Sequence, residues 1–168
     1  MPRLKKRRSL PLRRKREGRT DYRKRLQLLV SRKPRLVVRK SLKNVGMQLV
    51  EYGEKGDKIM VHASTKELEQ KFGWVGARRN TPAAYLTGYL VGLKAKQKKI
   101  LAAVADLGLQ RAVNGAIIFA AVKGVNDAGV AVPLGKEMCP SDDRISGKHL
   151  KNVKFAEVKQ KIEAAFKK

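Results

Sequence analysis

Arginine is the residue through which this sequence could do most of its chemistry. Residues 1–25 hold 13 Lys and Arg against 2 Asp and Glu, among them Arg3, Lys5, Lys6, Arg7, Arg8, Arg13, Arg14, Lys15, Arg16 and Arg19. A guanidinium offers a planar fork that grips phosphate bidentately and a flat face that stacks on an exposed base. Further along, Arg35, Arg39 and Lys40 recur within six residues, and Trp74 precedes Arg78, Arg79 and Asn80. These types and spacings point to holding a polyanion rather than to making or breaking bonds.

The residues that could support catalysis do not assemble in sequence. His62 and His149 stand far apart, and neither has a second His or Cys at metal-ligand spacing. Cys139 is the single cysteine, which excludes an internal disulfide and a Cys-rich zinc site, and no general base can be named for it. Asp106 at a strand end, with Asp142 and Asp143 downstream, could in principle build a two-metal nuclease site. The plainer reading, adopted here, makes them turn caps and loop carboxylates paired with lysines. No phosphate-loop lysine motif or dinucleotide glycine fingerprint is present, and no cofactor is expected. Residues 73–76 (Gly-Trp-Val-Gly) imitate the GXXG loop of a KH domain, but valine and tryptophan are unusual in a loop that clamps phosphate. The glycines read better as turn residues, with Trp74 either packed on the fold or stacked on RNA.

Charge distribution sharpens the expectation. The 168 residues carry 40 Lys and Arg against 14 Asp and Glu, a formal charge of +26, and the first hundred residues hold +22 of it. Self-repulsion at that density is relieved by a polyanion, whose released counterions drive binding. A generally solvated lysine-rich surface would spread its excess more evenly. Apolar residues at 42% suffice for a real core. No apolar run approaches the ~20 residues of a bilayer span, and the N-terminus has no apolar signal core, so a soluble cytoplasmic protein is expected.

The elements that must position these arginines follow from periodicity. Residues 1–19 have no hydrophobic period and contain Pro2, Pro11 and Gly18, which predicts a basic extended arm without stable structure of its own; residues 20–168 form one domain. Thr20 should cap a helix opened by Asp21, with Tyr22, Leu26, Leu29 and Val30 inward, Arg19, Arg23, Lys24 and Arg25 outward, and Pro34 as its stop. Strand-like runs follow at 35–41, 45–52 and 58–64, the first placing Arg35, Val37 and Arg39 on one face and the third Ile59, Val61 and Ala63. Short connections favour an antiparallel meander. Residues 64–67 (STKE) read as a capping box opening a short helix that ends near Phe72. Thr81 then Pro82 should start a helix to about Gln97, in which Ala84, Gly88 and Gly92 permit close approach of a neighbour. A buried strand at 102–107, a helix marked by Asn114, Ile117, Ile118, Ala121, Val122 and Val125, a last strand at 130–132, a polar loop at 133–152, and a final helix capped by Asn152 complete the chain. The fold class is α/β, a mixed-sheet α/β sandwich.

Four segments carry a family resemblance. Arg19-Thr20-Asp21-Tyr22 with Arg25, Leu26, Leu28 and Leu29, then Pro34-Arg35-Leu36-Val37-Val38-Arg39, residues 80–88 (NTPAAYLTG) and residues 105–109 (ADLGL) resemble the archaeal branch of universal large-subunit ribosomal protein eighteen. The match spans nearly the whole chain, and the 80–88 run is its most specific part. The resemblance implies a translational-machinery fold of ribonuclease H-like topology without its catalysis. It implies binding of 5S rRNA, attachment of that RNA to 23S rRNA in the central protuberance, and neighbouring large-subunit proteins including another 5S-associated one. Arg19, Tyr22, Arg23 and Arg25 are then expected near 5S RNA, with Arg35, Arg39 and Lys40 on the first strand and Arg78, Arg79 and Asn80 before the matching helix. Eukaryotic relatives carry a long C-terminal extension that this chain lacks, so an archaeal origin is expected.

Overall fold

A computed structural model describes residues 10–150 and 154–166. Its centre is a four-stranded sheet built from β1 (Arg35–Lys40), β2 (Val45–Glu51), β3 (Lys58–Ser64) and β4 (Val104–Asp106), in the order β3-β2-β1-β4. The first three strands form the expected antiparallel meander. β4 returns parallel to β1, which makes the sheet mixed, with Arg35 opposite Val104 and Val37 opposite Asp106. Alternation sends Leu36, Val38, Val45, Met47, Leu49, Val61 and Ala63 to one face, where all are buried. That face packs on α4 (Thr81–Gln97) and α5 (Ile117–Asp127), giving an α/β sandwich.

Small residues set the spacing of the two helices, as the Ala84, Gly88 and Gly92 pattern predicts. A methyl group on Gly88 would collide with the backbone carbonyl of Ala121, and one on Gly92 would sit 2.5 Å from the Ala128 Cβ. Gly124 of α5 meets the Tyr85 carbonyl in the same way. α4 is consequently buried almost all round, with Leu86 and Leu90 fully enclosed. α7 (Phe155–Phe166) docks through Val158 and Ile162, while Tyr89 of α4 donates to Glu163 Oε1 at 3.0 Å.

Several local expectations are corrected. The N-cap of α2 (Tyr22–Val30) is Asp21, whose carboxylate accepts from the backbone N–H groups of Arg23 and Lys24. A carboxylate reaches these first-turn donors and complements the positive helix end, which leaves Thr20 to accept from Arg14 Nε. α2 ends at Val30, before Pro34. Its inward face is Tyr22, Arg25, Leu28 and Leu29; Leu26 and Val30 are 66% and 75% exposed. Asn80, not Thr81, caps α4, accepting from Ala83 N at 2.8 Å. The capping box at α3 (Thr65–Phe72) does not form: Thr65 accepts from Val45 N and Glu67 pairs with Lys71 and Lys94. The register of β2 and β3 shifts between Leu49 and Val50, so Ile59 pairs with Val50 and leaves the face of Val61 and Ala63.

Toward the C-terminus, Asn114 lies before α5, and residues 130–132 contribute a single parallel bridge, Ala102 to Ala131, rather than a strand. The 133–150 region holds a 3-10 turn, Lys136–Met138, and a short helix α6, Asp142–Ser146, where a loop was expected. One helical turn, α1 (Arg13–Arg16), falls in the arm. The Asn152 cap lies outside the described residues.

Replacing Gly88 by Ala should lower stability by about 1–3 kcal/mol, because overpacking outweighs the ~1 kcal/mol helix-propensity gain. Gly46→Ala, built into open space, should stay within about 0.5 kcal/mol of wild type. Urea denaturation of the two variants distinguishes a constrained helix crossing from a tolerant one.

Candidate nucleic-acid interface

The face of the sheet away from α4 and α5 carries Arg35, Val37, Arg39, Gln48, Val50 and, through the register shift, Ile59. Between this face and α2 lies a groove of ≈ 570 Å³. Arg14, Arg19 and Tyr22 line its outer part. A chain of alternating charge runs across it. Arg25 Nη2 donates to both oxygens of Asp57 at 2.9 Å, and Arg35 Nη2 donates to Asp57 Oδ2 at 2.6 Å. Arg35 Nη1 continues to Asp106 Oδ2 at 2.8 Å, and Arg39 Nη2 reaches Asp106 Oδ1 at 3.1 Å. Arg39 Nη1 also donates to the carbonyls of Asp106 and Val38, while Gly108 N donates to Asp106 Oδ1. Lys24 Nζ donates to the Gly108 carbonyl, a second tie between α2 and the sheet.

Burial by itself would raise both carboxyls. For Asp106, the charge and hydrogen bond of Arg39, the Gly108 N–H and the charge of Arg35 outweigh it; for Asp57, hydrogen bonds from Arg25 and Arg35 and their charges do so. Both groups therefore titrate below their ordinary range and stay ionised at neutral pH.

The expected contact residues sort into distinct groups. Arg3, Lys5, Lys6, Arg7 and Arg8 lie outside the described residues. Arg13, Arg14, Lys15, Arg16, Arg19, Arg23, Lys40 and Arg79 are exposed. Arg13 and Arg19 share Glu17, but among the described residues no carboxylate pairs with Arg14, Lys15, Arg16, Arg23, Lys40 or Arg79. Arg25 and Arg39 are partly exposed and half-engaged, and Arg78 pairs with Glu69 at 2.9 Å. Two expectations are corrected. Arg35 is 3% exposed and serves the fold, because both its terminal nitrogens hold carboxylates. Trp74 is likewise 3% exposed; it packs in the core and donates to the Ala77 carbonyl, so its ring offers no stacking face. Gly73, at φ 67°, ends α3 in the left-handed conformation, a turn role rather than a clamp. Asn80 is occupied as a helix cap.

The carboxylates weighed for a nuclease do not converge. Asp106 is held by Arg35 and Arg39, Asp142 by Lys123 and Asp143 by Lys148. Among the described residues no three His, Cys, Asp or Glu side chains are grouped to hold a metal, and no helix is long and apolar enough to cross a membrane.

The sequence model for the family described as "Ribosomal large subunit proteins 60S L5, and 50S L18" matches residues 6–103. A large ribosomal subunit protein uL18 of Methanococcus maripaludis is 51% identical over 159 residues, covering 95% of this chain and 81% of the relative. The chain belongs to this family. It is a structural constituent of the large ribosomal subunit, a cytoplasmic particle, and the family is not a class of enzymes. The archaeal source of the relative fits the resemblance drawn from sequence.

Three of the four segments that carried that resemblance meet at the groove. Residues 19–25 supply its α2 wall, residues 35–39 its floor and residues 106–109 its end. The fourth, 80–88, opens α4 on the opposite face and packs against α5. Sequence reasoning missed Asp57 and assigned Asp106 to caps and turns. The available signal was Arg35 and Arg39 alternating onto a strand face, an arrangement that needs carboxylates if either is buried.

Asp106→Asn leaves Arg35 buried beside a neutral partner and should cost about 3–5 kcal/mol, read from urea unfolding with buried Trp74 as reporter. The stabilisation from Asp57 and Asp106 is present above their unfolded value of 3.8 and is lost as pH falls through the lowered folded values. Acid unfolding of the wild type should therefore steepen below about pH 4, and Asp106→Asn should flatten that limb.

Proposed function

We infer that this family member binds 5S rRNA and helps attach it to 23S rRNA in the central protuberance of the large subunit. The observation that carries this reading is the run of exposed basic side chains at Arg14, Lys15, Arg16 and Arg23, none of which meets a carboxylate among the described residues, beside a sheet face whose other arginines are already pinned. The family resemblance of residues 19–25 and 35–39 supports 5S rRNA as the polyanion. In this reading residues 1–19 act as a basic arm that follows RNA, and residues 20–168 act as the body that seats on it. Lys40 and Arg79 add phosphate contacts from the body. Exposed Leu26 and Val30 on the outer side of α2 suit an apolar contact with a neighbouring 5S-associated protein.

Phosphate contacts make affinity fall steeply with salt, and each lost contact lowers the slope. Filter binding to 5S rRNA across a salt series should show that fall, and Arg23→Ala should reduce the logarithmic slope by about 1. A binding constant indifferent to salt would remove the electrostatic basis. At fixed salt, 5S rRNA should compete better than unrelated duplex RNA and better than duplex DNA. Equal competition by duplex RNA would remove the 5S assignment, and preference for DNA would favour a DNA-bending architectural role.

A further inference from the structure

The groove beneath α2 has a composition that phosphate binding alone does not explain. Lys15, Arg16 and Arg23 already present exposed cations that meet no carboxylate among the described residues, and a row of duplex phosphates needs no apolar floor. Yet Val37, Val50, Leu28 and Ile59 line this groove, and Ile59 stays 55% exposed there because the β2–β3 register shift turns it away from the core. At ≈ 570 Å³ the groove falls in the size range of sites that enclose one small ligand.

The cations on its rim are held differently from those of the arm. Arg25 engages Asp57 through Nη2, and Arg39 engages Asp106 through Nη1 and Nη2. Among the described residues Arg25 Nη1 and Nε and Arg39 Nε have no hydrogen-bond partner. Both guanidinium planes are thus fixed in place with an unused donor edge. Side chains already ordered lose little further conformational entropy when they grip a ligand. Tyr22 adds an aromatic ring to the wall, and its hydroxyl makes no hydrogen bond among the described residues. An apolar floor, an aromatic wall and fixed guanidinium edges together match a nucleobase joined to a phosphate.

We propose that this groove is a subsite for one unpaired nucleotide of RNA, its base against Val37 and exposed Ile59 and its phosphate on Arg25. The proposal rests on the RNA-binding reading above and adds what the groove selects: an extruded or single-stranded nucleotide, where the arm follows backbone regardless of pairing. Seating it requires no movement of Arg35, whose charge stays balanced by Asp57 and Asp106.

The test uses the full chain with three probes: hexaadenylate, an abasic hexamer of equal charge, and 5S rRNA. Base stacking worth about 1–3 kcal/mol makes hexaadenylate bind at least about five-fold tighter than the abasic strand. In Ile59→Asn and Arg25→Lys that ratio should fall below about three-fold, with near-UV circular dichroism checking the fold. In methyl NMR spectra hexaadenylate, and not the abasic strand, should shift Val37 and Ile59. Equal affinity for the two hexamers, or unmoved methyl resonances, overturns the subsite. Hexaglutamate shifting the same methyls as strongly as hexaadenylate overturns it in favour of an acidic peptide site. If 5S rRNA binds with steep salt dependence while the hexamers bind equally, the groove proposal alone fails; if 5S rRNA does not bind, the reading beneath it fails as well.

Discussion

Arg35 is the side chain around which the N-terminal half is organised. It sits on the central strand β1, 3% exposed, on the face of the sheet that α4 and α5 do not cover. A buried guanidinium is tolerable only when its charge is balanced, and here Asp57 and Asp106 take its two terminal nitrogens from opposite sides, while its Nε has no partner among the described residues. Those carboxylates come from the β2–β3 turn and from the end of β4, so satisfying Arg35 ties the sheet's hairpin to its parallel edge. Arg25 and Arg39 then complete the two carboxylates and draw α2 onto the sheet. Replacing the whole chain by apolar residues could give similar stability. The ionic version differs in what it leaves at the surface: two guanidinium groups held in fixed orientation beside an open groove.

The division of basic residues between fold and partner follows from where the carboxylates are. In the C-terminal third, Lys123, Lys148 and Lys154 pair with Asp142, Asp143 and Glu157. The arm and α2 have Glu17, Asp21 and, by folding, Asp57 to set against a much denser run of arginine. Asp21 is occupied with the helix N-terminus. Most of the positive charge of residues 13–25 therefore remains available to a polyanion, while α4, α5 and α7 serve as an almost neutral scaffold behind the sheet. Glycines at 88, 92 and 124 keep that scaffold compact by letting backbone meet backbone.

Much of this architecture is readable from residue order, and the failures have a common cause. β1, β2, β3, α4 and α7 follow from alternation or helical spacing because each buries an apolar face in the main core. α2 has no buried residue, so the apolar rule misassigned its faces: Leu26 and Val30 point out, and Arg25 points in toward Asp57. Ile59 was misplaced because one shift of register inverts the side-chain alternation on either side of it. The 102–107 segment was read as a short buried strand and 130–132 as a last strand, but only Val104–Asp106 pairs with β1, and Ala131 makes one bridge. Their pairing depends on partners distant in sequence, which local pattern does not reveal.

The groove shows the same boundary at the level of function. Composition placed +22 of the +26 charge in the first hundred residues, and short motifs there and at 105–109 identified the family; both are properties of residues and their neighbours in the chain. Which arginines are free to bind is not such a property. Arg35 meets Asp106 across 71 positions, and Arg25 meets Asp57 across 32. Trp74 is likewise withdrawn from any stacking role by the core it enters. Residue type sets the chemistry a side chain can offer, but its availability depends on long-range packing and on the carboxylates that packing brings near. Sequence alone therefore determined that the partner is a polyanion; tertiary structure decided which cations remain to hold it, and shaped the apolar-floored groove between α2 and the sheet.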